Sequence, residues 1–213
     1  MAKFGVNEAD NYGGNGGGGY FSLKNHMDTA QVRFLYDKIE DVEGYAVHEV
    51  EINGKKRAVN CLRDYGAPID DCPFCKAKMA VRAKYYIPLY DVTNNRSVIW
   101  ERGKQFGAKL SGLCARYPHL YQRVFEIERH GAAGDKETTY EIFPTDGVDE
   151  NLNLEDFEKP EVLNAVVLNK TADEMQYYVD RGIFPDDTST PVRRNNNEQF
   201  ARRTPASGNR EVF

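Results

Sequence analysis

The chain has no run of about eighteen consecutive apolar residues, so it offers no membrane-spanning helix. Its opening residues, Met1-Ala2-Lys3-Phe4-Gly5-Val6-Asn7-Glu8, lack the apolar core of a secretory signal, and the expected compartment is the cytoplasm. Cysteine is scarce. Four thiols in 213 residues of a reducing compartment point to metal or catalytic chemistry before disulfides. No internal repeat is evident, and neither the collagen nor the coiled-coil period is present. With 40% apolar and 12% aromatic residues, wholesale disorder is excluded as well. What stands out is tyrosine, with 13 of them, in a chain long enough to bury a core without disulfide staples.

The formal charge of −5 describes no part of the chain well. Residues 1–19 carry Lys3, Glu8, Asp10 and a glycine run, and read as a flexible tether. Residues 20–144 hold 19 basic and 17 acidic groups; within them, 76–129 hold 11 basic against 4 acidic, a net of +7. Residues 145–191 reverse the sign, with 3 basic and 12 acidic groups. The last 22 residues, 192–213, are arginine-rich, with Arg193, Arg194, Arg202 and Arg203 among polar and small neighbours, and are expected to be disordered. The expected organisation is an arm (1–19), a folded core (20–144), an acidic helical appendage (145–191) and a tail.

The core reads as mainly β. Alternation over 30–36 and a β-branched and aromatic run over 44–52 predict two strands. Asn53-Gly54 supplies a two-residue hairpin turn to a return strand over 56–62. Further strands are expected at 84–91, 96–101, 121–129 and 137–143. Helices are predicted from Pro73 to Ala83, from Lys104 to Tyr117, where Phe106, Leu110, Leu113 and Cys114 share one face, and from Ala172 to Arg181. Five or six short strands with short helices fit a Greek-key barrel, the OB-fold or one of its relatives.

Cys61, Cys72 and Cys75 form the sharpest motif, with His48 upstream in the order His-x12-Cys-x10-Cys-x2-Cys. Asp71-Cys72-Pro73-Phe74-Cys75 is a tight thiolate knuckle, and the hairpin returns Cys61 to the end of the strand pair where His48 lies. Three thiolates and an imidazole make a closed tetrahedral shell suited to one structural Zn²⁺, with no open position for water. The subdomain is expected to span about 45–83. His26, His119 and His130 are alternative nitrogen ligands, and Cys114 fits a small core position. A redox Cys-x-x-Cys would need a βαβ setting that the hairpin does not provide. A nucleobase deaminase would need a glutamate where Val50 stands and a proline where Asp71 stands.

The cationic window is also rich in rings. Alternation turns Lys84, Tyr86 and Tyr90 outward together, and puts Tyr121, Arg123, Phe125 and Arg129 on one face. Lys76, Lys78 and Arg82 after the knuckle, with Trp100, Arg102, Lys104 and Arg116, would widen the track. Single-stranded nucleic acid requires such a mixture, with rings stacking on bases and cations meeting phosphates. Any one of these rings, Trp100, Phe106 and Phe125 among them, also fits a core position.

In the order and spacing of His48, Cys61, Cys72 and Cys75, and in the strand–helix–strand run from Lys84 to Phe143, the chain resembles the zinc-containing single-stranded DNA-binding, helix-destabilising proteins of tailed phages of the T-even type. The resemblance spans roughly 20–144. It implies an OB-fold carrying a zinc subdomain and sequence-independent coating of unpaired DNA in phage replication, recombination and repair inside an infected bacterial cell. It also implies phage polymerase, helicase, primase and recombinase as partners, docked here through the acidic 145–191 region, and self-association on DNA. Two features depart from the family: the arm has Lys3 as its one base, and the chain turns arginine-rich after its acidic stretch. The competing reading is a zinc-ribbon accessory protein of a replication or transcription complex. An enzyme is not expected, since the carboxylates of Asp70-Asp71 and 149–156 fall in loops or in the appendage and not in a two-metal cluster.

Overall fold

The structure, a computed structural model, describes residues 19–185 except 136. The expected tether, all but Gly19, and the expected tail over 192–213 lie outside the described residues. The protein is mainly β. Nine strands form one sheet: β1 (Gly19–Tyr20), β2 (Thr29–Phe34), β3 (Glu43–Ile52), β4 (Lys55–Asn60), β5 (Val81–Asp91), β6 (Arg96–Gly103), β7 (Arg123–His130), β8 (Thr139–Val148) and β9 (Val167–Leu168). Among the described residues three α-helices accompany them: α1 (Pro73–Lys76), α2 (Gly107–Arg116) and α3 (Ala172–Arg181). Among the described residues no helix is long and apolar enough to cross a membrane.

The strand order is β8-β7-β2-β5-β3-β4-β9, with β6 beside β5 and β1 parallel to β6. The spine is β5. Its first half pairs with β3 (Glu43↔Tyr86 to His48↔Val81), and its last residues pair with β2 (Val32↔Asp91 to Phe34↔Leu89). Pro88, which has no N–H to give, sits where β5 leaves one neighbour for the other, and its carbonyl accepts from Leu35 N–H at 2.9 Å. Asn53 and Gly54 take φ of 52° and 73°, the left-handed pair that a two-residue turn between β3 and β4 requires.

Three apolar clusters hold the sheet. The largest draws on Val32 and Phe34 of β2, Ile87 and Leu89 of β5, Val98 and Trp100 of β6, Phe125 and Ile127 of β7, and Tyr140 of β8. Leu110 and Leu113 of α2 cover it. No ladder joins β6 to β8 among the described residues. The two strands nevertheless meet through side chains, since Trp100 stands edge-on to Tyr140 at 5.2 Å and to Phe106 at 5.0 Å. The second cluster lies under the knuckle: Val50, Val59, Phe74, Met175, Tyr178 and Phe184 with Cys72 and Cys75. The third joins Val47, Ala58, Tyr86 and Ile99 to Val162, Val166 and Val167.

Several elements differ from expectation. The helix expected from Pro73 to Ala83 stops at Lys76, because Lys78 takes a left-handed φ of 58° and β5 begins at Val81. Residues 145–191 were expected to form a helical appendage, whereas their described part contains the end of β8, β9 and one helix. There β9 runs parallel to β4 (Ala58↔Val167), and α3 packs on α1. α3 is well specified. Thr171 and Glu174 form a capping box, and Gly182, at φ 77°, ends the helix with its N–H on Tyr178 O.

Candidate metal centre and basic groove

β3 and β4 are adjacent antiparallel strands, so His48 near the middle of β3 and Cys61 just past β4 come to one end of the ladder. The turn of α1, with Pro73 in its first position, aims Cys72 and Cys75 at the same point. The four ligand atoms lie within 4.8 Å of one another. Cys72 Sγ is 3.5 Å and Cys75 Sγ 3.6 Å from His48 Nε2, and Cys61 Sγ is 3.6 Å from Cys75 Sγ. A four-coordinate ion with bonds of about 2.3 Å to sulfur and about 2.0 Å to nitrogen sets tetrahedral edges near ~3.5–3.8 Å, which these distances match.

The electrostatics agree with a cation. Burial pushes the Cys75 thiol up to about 12, with the adjacent Cys61 and Cys72 sulfurs adding to it. Burial also raises Cys72, but the backbone N–H groups of Cys75, Leu62 and Phe74 outweigh it and hold that thiol below its usual value. Burial keeps the His48 imidazole below its usual value, aided by Arg63 and opposed by backbone groups of Ala80 and Met79; the neutral ring is the ligating form. Three sulfurs this close cannot all be thiolates without a positive ion among them. Phe74 shields the centre, stacked edge-on against His48 at 5.3 Å and Tyr178 at 5.7 Å. His26, His119 and His130 are not in the cluster.

The basic and aromatic candidates divide. Tyr86, Trp100 and Phe125 are fully buried, and Tyr121 nearly so, so these rings are core and not an outward stacking platform. The reason differs by strand. On β7 the face that carries Phe125, Ile127 and Arg129 is the face turned to the large core. On β5, Ile87 and Leu89 do face that core, but Tyr86 on the opposite side is covered by residues 162–167 folding back from far along the chain. Tyr90 packs on Phe157 at 4.9 Å, and Arg123 donates to Thr145 O at 3.2 Å. Lys76 pairs with Asp70 at 3.9 Å, and Lys78 and Arg116 are exposed; none of these five lines the grooves described next.

Arg82, Lys84, Arg102, Lys104 and Arg129 do converge. They line two adjoining grooves, of about 880 and 620 Å³, that share Glu49, Lys84 and Glu101. Lys84 Nζ bonds both carboxylates, at 3.1 Å to Glu49 and 2.6 Å to Glu101. Arg102 lies between the rings of Trp100 and Tyr140, at 4.3 and 3.9 Å. Arg129 spreads its guanidinium over the carbonyls of Leu23, Gly131 and Ala132, Tyr140 Oη and Thr138 Oγ1. The grooves also recruit residues that the sequence reading passed over: Arg63 and Tyr65 in one, Tyr20, Lys55, Lys56 and Arg57 in the other. The Lys55-Lys56-Arg57 run beside the Asn53-Gly54 turn was a visible signal; Tyr65 carried none beyond its place between two thiol ligands.

No protein-family model matches the chain, and no curated protein matches it.

Proposed function

We propose that this protein binds single-stranded DNA without sequence preference and coats it during replication, recombination and repair, and that the ion of its metal centre is one structural Zn²⁺. The observation that carries the reading is the pair of grooves. Cations from β4, β5, β6 and β7 gather on one surface, beside an exposed ring on the loop between two metal ligands. Cations there release counterions from phosphates, and unpaired bases offer π-faces to a ring. The closed His/Cys₃ donor set favours zinc in a bracing role. The five strands β2, β5, β6, β7 and β8, curled around one core with their ladder open, support an OB-like barrel, which is commonly partly open. The β3–β4 hairpin and knuckle are then an insertion between its first two strands.

With the ligand spacing, this supports kinship with the helix-destabilising proteins of tailed phages. Phage polymerase, helicase/primase and recombinase as partners, self-association on DNA and the cytoplasm of an infected cell belong to the same proposal. The test is a salt-titrated fluorescence assay with poly(dT), a duplex and RNA. Strand coating predicts tight, steeply salt-dependent binding to poly(dT) and weak duplex affinity. Absent or salt-independent binding would overturn the reading in favour of a zinc-ribbon module that docks on proteins.

A further inference from the structure

The two grooves are chemically unlike, although they adjoin. The groove of about 620 Å³ holds Lys55, Lys56, Arg57, Arg102 and Arg129, and none of these cations has an ion-pair partner within 4.0 Å among the described residues. Its rings are committed elsewhere: Tyr20 Oη donates to Val166 O at 3.4 Å, and Tyr140 is stacked on Arg102. Its free resource is positive charge. The groove of about 880 Å³ is nearly balanced, with Asp64 beside Arg63 and with Arg82 at 3.7 Å from Glu49. Its free resource is Tyr65, fully exposed, engaged by no other ring and no hydrogen bond among the described residues. That ring sits on the segment fixed at both ends by Cys61 and Cys72. Between the grooves lie Glu49 and Glu101, bridged by Lys84 and approached by Arg82, a floor whose charges are already paired and which leaves phosphate no free cation.

We propose that the groove divides recognition of a single strand between two lobes: the Lys55–Arg57/Arg102 lobe grips phosphates, with Arg129 bonded to the protein beneath it, and the Tyr65 lobe stacks a base. This rests on the reading above and sharpens it, because it assigns each kind of contact to a place. A strand that reaches both lobes gains from their linkage. Oligothymidylates long enough to span them bind ~10²-fold tighter than those that fill one, the lower end of what tethering two sites supplies.

Fluorescence anisotropy of the full chain with a thymidine oligomer and with an abasic phosphodiester of the same length separates the lobes. Lys55, Lys56 and Tyr65 are exposed, so their substitutions leave the fold intact. Tyr65→Ala is expected to weaken thymidine binding roughly tenfold, the scale of one lost stack, and to leave abasic binding and the salt slope unchanged. The double variant Lys55→Ala/Lys56→Ala is expected to weaken both ligands alike and to lower the salt slope by ~2, about one per lost phosphate contact. Equal loss on both ligands for Tyr65→Ala, or an unchanged slope for the lysine variant, overturns the division while leaving strand binding in place. If the unaltered protein binds neither ligand, it is the parent reading that falls.

Discussion

The sheet's large cluster and the cysteine knuckle are both cores, yet they are held by different means. The first buries sixteen residues, eleven of them from five strands and a helix, large rings among them, and needs no ligand to exclude water. The second has eight, of which two are cysteines of the candidate metal cluster and three, Met175, Tyr178 and Phe184, arrive from the far end of the described chain. Subtract these five and Val50, Val59 and Phe74 remain, with the partly buried Ile52, Leu62, Met79 and Leu168 against them, far less apolar surface than the first core holds to offset the entropy of ordering the loops. A returning helix supplies part of what burial alone does not, and an ion held by the His48/Cys61/Cys72/Cys75 cluster would supply the rest.

Taking away the ion should break that comparison most widely. In zinc-finger peptides, structural zinc contributes an apparent ~10 kcal/mol or more to folding. Chelation, or Cys72→Ser, is expected to expose amides over 46–79 and 172–184 to rapid hydrogen exchange while β2 and β7 stay protected. Uniform exchange over both cores would show that they are one cooperative unit. A ring removed from each side comes next: Phe74→Ala and Trp100→Ala each delete a buried aromatic at a cost of about 3–5 kcal/mol. The first should weaken metal retention in a competition assay with a chromogenic chelator. The second should lower the melting temperature and leave retention alone.

Tyr178→Phe tests the returning helix more gently. The phenol donates to Glu51 O at 3.1 Å and accepts from Glu51 N–H at 3.2 Å, so its loss should cost about 1 kcal/mol, read as a lower urea midpoint. Acid gives the smallest effect. The Thr171 backbone N–H and the Lys170 ammonium hold the Glu174 carboxyl below its usual value of 4.5. The stability it lends α3 is therefore complete above that value and is lost as pH falls through the lower folded one. Amide exchange at α3, followed downward from pH 6, should rise below that point in the native chain, and Glu174→Gln should show no such step.

The sequence was legible where physics is local. Alternation and β-branched or aromatic runs placed seven of the nine strands, Asn53-Gly54 marked the hairpin, the helix over 172–181 was expected, and spacing brought His48, Cys61, Cys72 and Cys75 together. It was not legible where a distant segment decides. The alternation that put Lys84 and Tyr86 on one face was correct, but whether that face meets water depends on Val162 to Val167, some eighty residues later. For the same reason the two-residue strands β1 and β9 left no pattern, since each exists through the partner it lies against. The grooves likewise collect residues from seven strands and the loops between them, and charge in a window identified some of them and not their arrangement.

The placement of Tyr178 and Phe184 beneath Phe74 also sets a timetable for synthesis. Every thiol of the knuckle has been made before its lid: about a hundred residues separate Cys75 from Tyr178, which is roughly 5–20 s of translation at ~5–20 residues per second. During that interval the nascent hairpin presents its four candidate ligands with one wall of their pocket still missing. The ribosome thus delivers this domain open-sided first and shut last.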